Sequence, residues 1–340
     1  MSHPPAPSAP HSPSSFRLPK PSAARALVVG GGTMGVDVAA VLARAGCPTL
    51  VVEPSEARRA ALGNHLDQSM QALGYAHRRD RIRIGASLDD VAWPELDIVI
   101  ECVPEKLDIK QALFADLERR AAPHTLLCSN SSSFPISAIG AGLATMERMF
   151  NLHFFMPAHL VPAVEVVLGA GSDPQRGEAL CDFMRGCGMV PLFVRKDLPG
   201  FLANRLQHAL AREAFAMIDE GIASPEDIDN AVRFGFGFRF LAAGPVLQRD
   251  HAGLDIHCAA AATMYPSLST SPEPAKALSE RVAAGKFGMK AGEGFFRWTP
   301  EAIAAERARY DRLLLAGLEL LRAELPQIDN DQPANPPEQP

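Results

Sequence analysis

Nowhere in the 340 residues does an apolar run approach the roughly 20 that a membrane-crossing helix needs, which sets aside an integral membrane protein. Cysteine is scarce and scattered. Six are present, with no C-x-x-C pair and several inside apolar segments. That spacing argues against a disulfide frame or a zinc site and reads as reduced core thiols in a reducing, cytoplasmic compartment; no metal is expected. An excess of basic residues is missing too, and a net charge of −6 provides no field for nucleic acid or an anionic membrane. Lysine is rare, seven against 26 arginines, so cationic work anywhere in this chain falls to arginine. Residues 1–22 hold seven prolines, no acid and no periodicity, and residues 326–340 are again Pro-rich and polar; both read as disordered tails. The first carries no secretory apolar core, and its low acidity leaves an organelle-targeting reading open.

What is there is an alternation of short apolar runs with helical patterns. Strands are expected near 26–29, 49–52, 97–102, 125–129, 149–154, 163–168 and 189–194, and helices over 33–45, 55–73, 106–121 and 174–187. This is the pattern of an α/β, doubly wound sheet of Rossmann type, placed at 23–198. The Arg-rich segment His77–Arg83 lies between elements and reads as solvated surface or as a receiver of phosphate. From Pro199-Gly200 the pattern turns wholly helical. Ser224-Pro225-Glu226-Asp227 and Thr299-Pro300-Glu301 each join an N-cap residue to a proline at the first helical position. A smaller all-α domain over 199–325 follows.

The chain is organised around Ala26-Leu27-Val28-Val29 running into Gly30-Gly31-Gly32-Thr33-Met34-Gly35 and an Ala-rich helix. Gly30, Gly32 and Gly35 fill the G-x-G-x-x-G positions: one for the turn, one for approach of a pyrophosphate, one for close helix packing. A second strand ends in Glu53, 18 residues beyond Gly35, where a carboxylate can accept both hydroxyls of an adenosine ribose. NAD is the cofactor this predicts.

Four further stretches carry polar groups out of keeping with a plain core. Ser129-Asn130-Ser131-Ser132-Ser133 leaves a strand at the edge where doubly wound sheets bind ligands, although any one serine there can equally be a cap. His153 stands inside an apolar strand, where a histidine is commonly a hydrogen-bonded core residue. Glu165 stands in another, Val164-Glu165-Val166-Val167. A buried carboxylate needs a partner, and His153 is the evident one, giving an oriented general base. Asn204, in Pro199-Gly200-Phe201-Leu202-Ala203-Asn204-Arg205, is an amide opening the second domain.

These motifs, with Glu101-Cys102-Val103-Pro104-Glu105-Lys106-Leu107-Asp108-Ile109-Lys110, His153-Phe154-Phe155 and Gly288-Met289-Lys290-Ala291-Gly292-Glu293-Gly294-Phe295-Phe296, resemble the L-3-hydroxyacyl-CoA dehydrogenase family over about residues 25–300. The resemblance implies a catalytic group of His153, Glu165, Ser132 and Asn204, with the last two on the reacting oxygen. It places Glu105 and Lys110 at the nicotinamide half of the cofactor; without it they would read as a charge pair on a solvated helix. The cofactor set is then Gly30, Gly32, Thr33, Met34, Gly35, Glu53, Glu105, Lys110 and Asn130. A homodimer through the helical domain, a small-molecule substrate and a place in fatty acid metabolism are implied as well.

Two departures bear on substrate. Met156 stands where the family usually has asparagine, and the 44 residues from Glu53 to Asp97 are few for a family member and contain no lysine to touch coenzyme A. The wording at 101–105 and at 221–227 is closer to the L-gulonate 3-dehydrogenase (lambda-crystallin) branch. Arg58, Arg59, Arg78, Arg79, Arg81 and Arg83 crowd the same region and could replace the lysines. The expected reaction is interconversion of an L-3-hydroxyacyl-CoA, short chain favoured, and its 3-oxo form. The alternatives are a free 3-hydroxy acid such as gulonate or carnitine, or a catalytically silent cofactor-binding protein of crystallin type.

Overall fold

The computed structural model describes residues 16–328 and divides into two compact units, one running to Leu202 and resuming at Glu324, the other spanning Ala203–Ala323. In the first unit β1 (Ala26–Val29), β2 (Thr49–Val52), β3 (Ile82–Gly85), β4 (Ile98–Glu101), β5 (Leu126–Ser129), β6 (Met149–Phe154), β7 (Ala163–Leu168) and β8 (Val190–Val194) make one sheet in the order β3-β2-β1-β4-β5-β6-β7-β8. Every pairing is parallel except β6 with β7. β1 and β4 are buried throughout, as strands covered on both faces must be, which is why their sequences are unbroken apolar runs up to Glu101. The helices α1 (Thr33–Arg44), α2 (Glu56–Ala72), α3 (Leu107–Arg120), α4 (Ile136–Ile139) and α5 (Pro174–Gly186) connect them.

The alternation is the one expected from the sequence, with one strand more. β3 comes from Ile82-Arg83-Ile84, where two isoleucines flank an exposed arginine at the sheet edge. The Arg-rich segment before it forms a 3-10 turn, Ala76–Arg81. Residues 16–22, read from sequence as part of a tail, lie on the domain: Phe16 and Leu18 pack against the core, Pro21 is buried, and Arg176 sits 4.7 Å above the Phe16 ring. Ile328 packs against the same core. The remainder of both expected tails lies outside the described residues.

The second unit contains α6 (Ala203–Asp219), α7 (Pro225–Asn230), a π-type turn (Ala231–Phe236), α8 (Gly237–Arg239), α9 (Leu247–Ala252), α10 (Leu254–Met264), α11 (Lys276–Ala283) and α12 (Pro300–Leu320). Ser224 caps α7 and Thr299 caps α12 through their hydroxyl oxygens, as the sequence signals predict. Asp219 accepts from the Lys276 and Ala277 amides at the start of α11, at 2.7 and 2.6 Å. Phe215 and Phe295 stack at 5.5 Å, with Arg281 above the Phe295 ring. Among the described residues of this unit only Ala243 and Ala277 are buried. Among the described residues no helix is long and apolar enough to cross a membrane.

Candidate active site

The turn between β1 and α1 forms because three glycines each answer a different constraint. Gly30 has φ +106, and a Cβ there would stand 2.6 Å from the Cys102 carbonyl oxygen. A Cβ on Gly35 would come within 1.9 Å of the Gly30 carbonyl oxygen. At Gly32 nothing lies within 4 Å, so the backbone is bare towards open space. Gly32 is also the N-cap of α1, with no side-chain cap and no acid in the first turn, so the first amides of α1 are left to an anion.

Around this turn is a cavity of about 650 Å³ whose wall includes Gly30, Gly32, Thr33, Met34, Glu53 and Arg58. Glu53 closes β2, and its two oxygens accept from the Gly31 and Ser55 amides, each at 2.9 Å. Those bonds hold the carboxylate at the cavity wall and leave further lone pairs for hydroxyl donors. The bare Gly32, the uncapped helix start and the fixed acid together fit a dinucleotide.

A second cluster joins β4 to the serine loop. Glu101 is fully buried; its Oε1 accepts from the Val103 amide and Lys110 Nζ, both at 2.7 Å, and its Oε2 from the Ser129 hydroxyl at 2.6 Å. Lys110 Nζ also lies 3.1 Å from Glu105 Oε2. Glu105 Oε1 accepts from the Ser131 hydroxyl at 2.6 Å and the Ser133 amide at 3.0 Å. Burial pushes the Glu105 carboxyl up, but the Ser131 bond, the Lys110 ammonium and the Ser133 amide outweigh it and hold it below the ordinary carboxylate range. Lys110 is 1 % exposed, its ammonium enclosed by two carboxylates and the Val103 carbonyl. Of the two residues expected at the nicotinamide half of the cofactor, Lys110 is buried between Glu101 and Glu105, and Glu105 is the more exposed member. Glu101 and Ser129 were not singled out as site residues. The signal was an acid at the carboxyl end of a central strand, where a core would not place one.

Antiparallel pairing of β6 with β7 puts His153 directly opposite Glu165. The His153 Nδ1 to Glu165 Oε2 distance is 2.7 Å, with Glu165 fully buried and His153 5 % exposed. Glu165 Oε1 accepts from the Leu202 amide at 2.9 Å. The imidazole is flanked by Phe155 at 4.8 Å and Phe201 at 5.7 Å between ring centroids. Nδ1 thus donates to the carboxylate, and Nε2 has no hydrogen bond among the described residues. Asn130 Oδ1 accepts from the Phe154 amide at 2.9 Å, joining the serine loop to the strand that bears His153. Asn151 Oδ1 accepts from the Ile136 amide at 2.7 Å and steadies the end of that loop. Ser132 is half-buried, its hydroxyl unpaired among the described residues. Asn204 belongs to the other unit, on the first turn of α6, and Met156 is 68 % exposed.

A dinucleotide cradle and a histidine–carboxylate pair on one doubly wound sheet define a nicotinamide-dependent oxidoreductase. Residues 25–198 match the family described as 3-hydroxyacyl-CoA dehydrogenase, NAD binding domain, and residues 200–298 its C-terminal domain. The chain belongs to the 3-hydroxyacyl-CoA dehydrogenase family, and NAD is its cofactor. It is 36% identical over 290 residues to 5-formyl-3-hydroxy-2-methylpyridine 4-carboxylate 5-dehydrogenase of Mesorhizobium japonicum, covering 83% of this chain and 94% of that one. It is 32% identical over 286 residues to human mitochondrial hydroxyacyl-coenzyme A dehydrogenase, covering 80% and 90%. A crystal structure of a 5-formyl-3-hydroxy-2-methylpyridine 4-carboxylic acid 5-dehydrogenase, described as an NAD+-dependent dismutase, aligns with TM-score 0.81 at 33% identity over 88% of this chain and 98% of that one. The 3-hydroxybutyryl-CoA dehydrogenase of Escherichia coli aligns with TM-score 0.66 at 31% identity, over 81% and 60%.

Proposed function

We propose that this chain oxidises a hydroxyl group on a small free carboxylic acid, with His153 as general base. The observation that carries the reading is the buried 2.7 Å pair of His153 and Glu165, which leaves Nε2 as the acceptor for the hydroxyl proton. NAD, when bound, supplies the hydride acceptor. Glu165 offsets the charge that His153 gains, and its own orientation is set by the Leu202 amide. The unpaired Ser132 hydroxyl is assigned to the reacting oxygen. Asn204 is given the same task by its place in the Pro199–Leu206 motif. Lys110 and Glu101 hold Glu105 and the serine loop in place for the cofactor. In the reverse direction the protonated His153 returns its proton to the carbonyl oxygen.

The free-acid reading rests on how the arginines are used. Arg59 donates to the Glu53 and Pro54 carbonyls, Arg78 to the Arg44 carbonyl while lying over Tyr75, and Arg79 to Asp67 and the Ile82 carbonyl. Half of the six cations that could have met coenzyme A phosphates are tied down. The 36% identity to an enzyme of a free pyridine carboxylate points the same way. The coenzyme A thioester reading is favoured by the 32% identity to the human acyl-CoA enzyme and by exposed Arg58, Arg81 and Arg83, and it would place the chain in fatty acid metabolism. The test is NADH absorbance with acetoacetyl-CoA, 5-formyl-3-hydroxy-2-methylpyridine 4-carboxylate, gulonate and carnitine. Turnover of a free acid alone supports the proposal, turnover of acetoacetyl-CoA alone overturns it, and NADH binding without any turnover supports a silent cofactor-binding protein.

We assign a second copy of the chain to the apolar surface of the second unit. Leu206, Leu210, Phe234, Phe238 and Leu247 are exposed on a unit that buries only two alanines, more apolar surface than a solitary domain leaves bare. A monomer by light scattering at micromolar concentration would refute the homodimer. All six cysteines are free, which supports a reducing, cytoplasmic setting.

A further inference from the structure

α1 is buried over ten of its twelve residues, and all but one of those side chains are apolar, absent or, at Arg44, at the helix end; the exception is Asp37, 1 % exposed. Its Oδ1 lies 2.9 Å from His159 Nδ1 and 3.6 Å from His65 Nε2, and it accepts a 3.3 Å bond from the Ser69 hydroxyl. Its Oδ2 is buried without a hydrogen-bond partner, and so is His159 Nδ1: the 2.9 Å contact with Oδ1 is a close ion-pair approach and not an aligned hydrogen bond. A carboxylate so placed is costly to retain, and apolar residues of like volume would make a better core.

The position of its partner gives a reason to keep it. His159 lies in the segment Phe155–Pro162, which leaves β6 two residues after His153 and returns as β7 to Glu165. Asp37 lies one turn into the helix whose uncapped start forms part of the dinucleotide cradle. The pair joins the cofactor helix to the segment that links the two halves of the His153–Glu165 pair. Ala158 and Leu160 on either side of His159 are both buried, Ala158 in the same core as α1, so a pull on His159 is passed to a packed segment rather than lost in a loose loop.

We propose that Asp37 and His159 are positioning residues that hold segment 155–162, and with it the end of β6, in register with α1, so that cofactor docking on the helix is transmitted to the catalytic strand. Neither residue is placed on substrate or cofactor. The inference rests on His153 being the base, and its test separates the two.

The experiment uses the full-length protein and its Asp37→Asn, His159→Gln and double variants. Backbone hydrogen exchange of residues 155–162 is followed with and without NADH, together with NADH affinity by fluorescence. In the wild type, NADH should slow exchange in this segment. In both single variants that slowing should be largely lost while the NADH dissociation constant stays within about threefold, because the glycine turn is untouched. The double variant should lose no more than either single, the mark of a shared interaction. Undiminished NADH protection in the single variants, or strictly additive losses, would overturn the tie. The apolar variant Asp37→Ala with His159→Leu guards against a fold defect: it should match the wild type in thermal stability and still lose the NADH response. His153→Ala should keep the NADH response and lose turnover; if it keeps turnover the base assignment falls, and the exchange result still decides the tie.

Discussion

Replacing Glu165 by glutamine should harm catalysis more than its near-identical shape suggests, and the Leu202 amide is the reason. That amide donates to Oε1, so the variant's carbonyl oxygen must stay there, which turns the new NH2 group towards His153 Nδ1. Nδ1 then has to accept, the ring hydrogen moves to Nε2, and the atom meant to take the substrate proton is blocked. The lost charge adds to this. An imidazolium and a carboxylate with charge centres about 4 Å apart interact by about 4 kcal/mol at an effective dielectric of ~20, or about 10³ in rate. Some of that is recovered by the amide dipole, so we expect kcat to fall by about 10² to 10⁴, with KM for NAD held within about twofold because Glu165 stands outside the cradle. Glu165→Ala loses the charge but frees the ring to choose its tautomer, so it should be no slower than Glu165→Gln. The assay is initial-rate NADH absorbance with the best substrate of the panel, alongside NADH fluorescence titration. A Glu165→Gln enzyme within about threefold of wild type, or one far faster than Glu165→Ala, would refute the reasoning.

The glycine turn makes a sharper distinction. Gly35→Ala should destabilise the fold, because its Cβ would collide with the Gly30 carbonyl, whereas Gly32→Ala should keep the wild-type melting temperature and lose NADH affinity, because its Cβ enters only open space; the reverse order in calorimetry and titration would be fatal. Glu53 should favour NAD over NADP by about 10² or more through repulsion of a 2′-phosphate, and Glu53→Ala should narrow that ratio, Arg58 being on the same wall. Glu105 is held below its ordinary 4.5, so the stability it contributes is present above that value and lost as pH falls through the lower, folded one. Thermal stability should therefore keep this contribution down to about pH 4.5 and lose it in stronger acid, and Glu105→Gln should remove that part of the acid decline in melting temperature.

The sheet was legible wherever burial on both faces forces unbroken apolar runs, as in β1, β4 and β5, whose expected ends differ from the observed ones by a residue at most. β3 escaped because an edge strand needs only one covered face. Ile82 and Ile84 satisfy it, and the intervening Arg83 disguises them as part of a charged surface. The capped helices α7 and α12 were legible because serine, threonine and proline declare a helix start locally. The small helices between them carry no such signal: α8 is a three-residue stretch after a π-type turn with non-helical Gly235 inside it, shaped by neighbours rather than by its own residues.

The site was legible in pieces and illegible in how the pieces are held. His153 and Glu165 could be paired on chemistry alone, since each is unwelcome in an apolar strand without the other. Nothing in their spacing of 12 residues shows that β6 and β7 run antiparallel with those two in register. Lys110 is the opposite case. Its side chain is long enough to reach a cofactor, and only the fold shows that its ammonium lies 2.7 Å from a fully buried Glu101. Asp37 went unremarked because one acid in an alanine-rich helix reads as its solvated face. Both cases have the same physical origin. A charged residue next to an apolar run is read from sequence as surface, yet a buried charge with a partner distant in sequence looks identical there. In this chain such partners hold the glycine turn, the serine loop and the strand that bears His153, so its buried charges, more than its exposed ones, are where substitutions should be directed first.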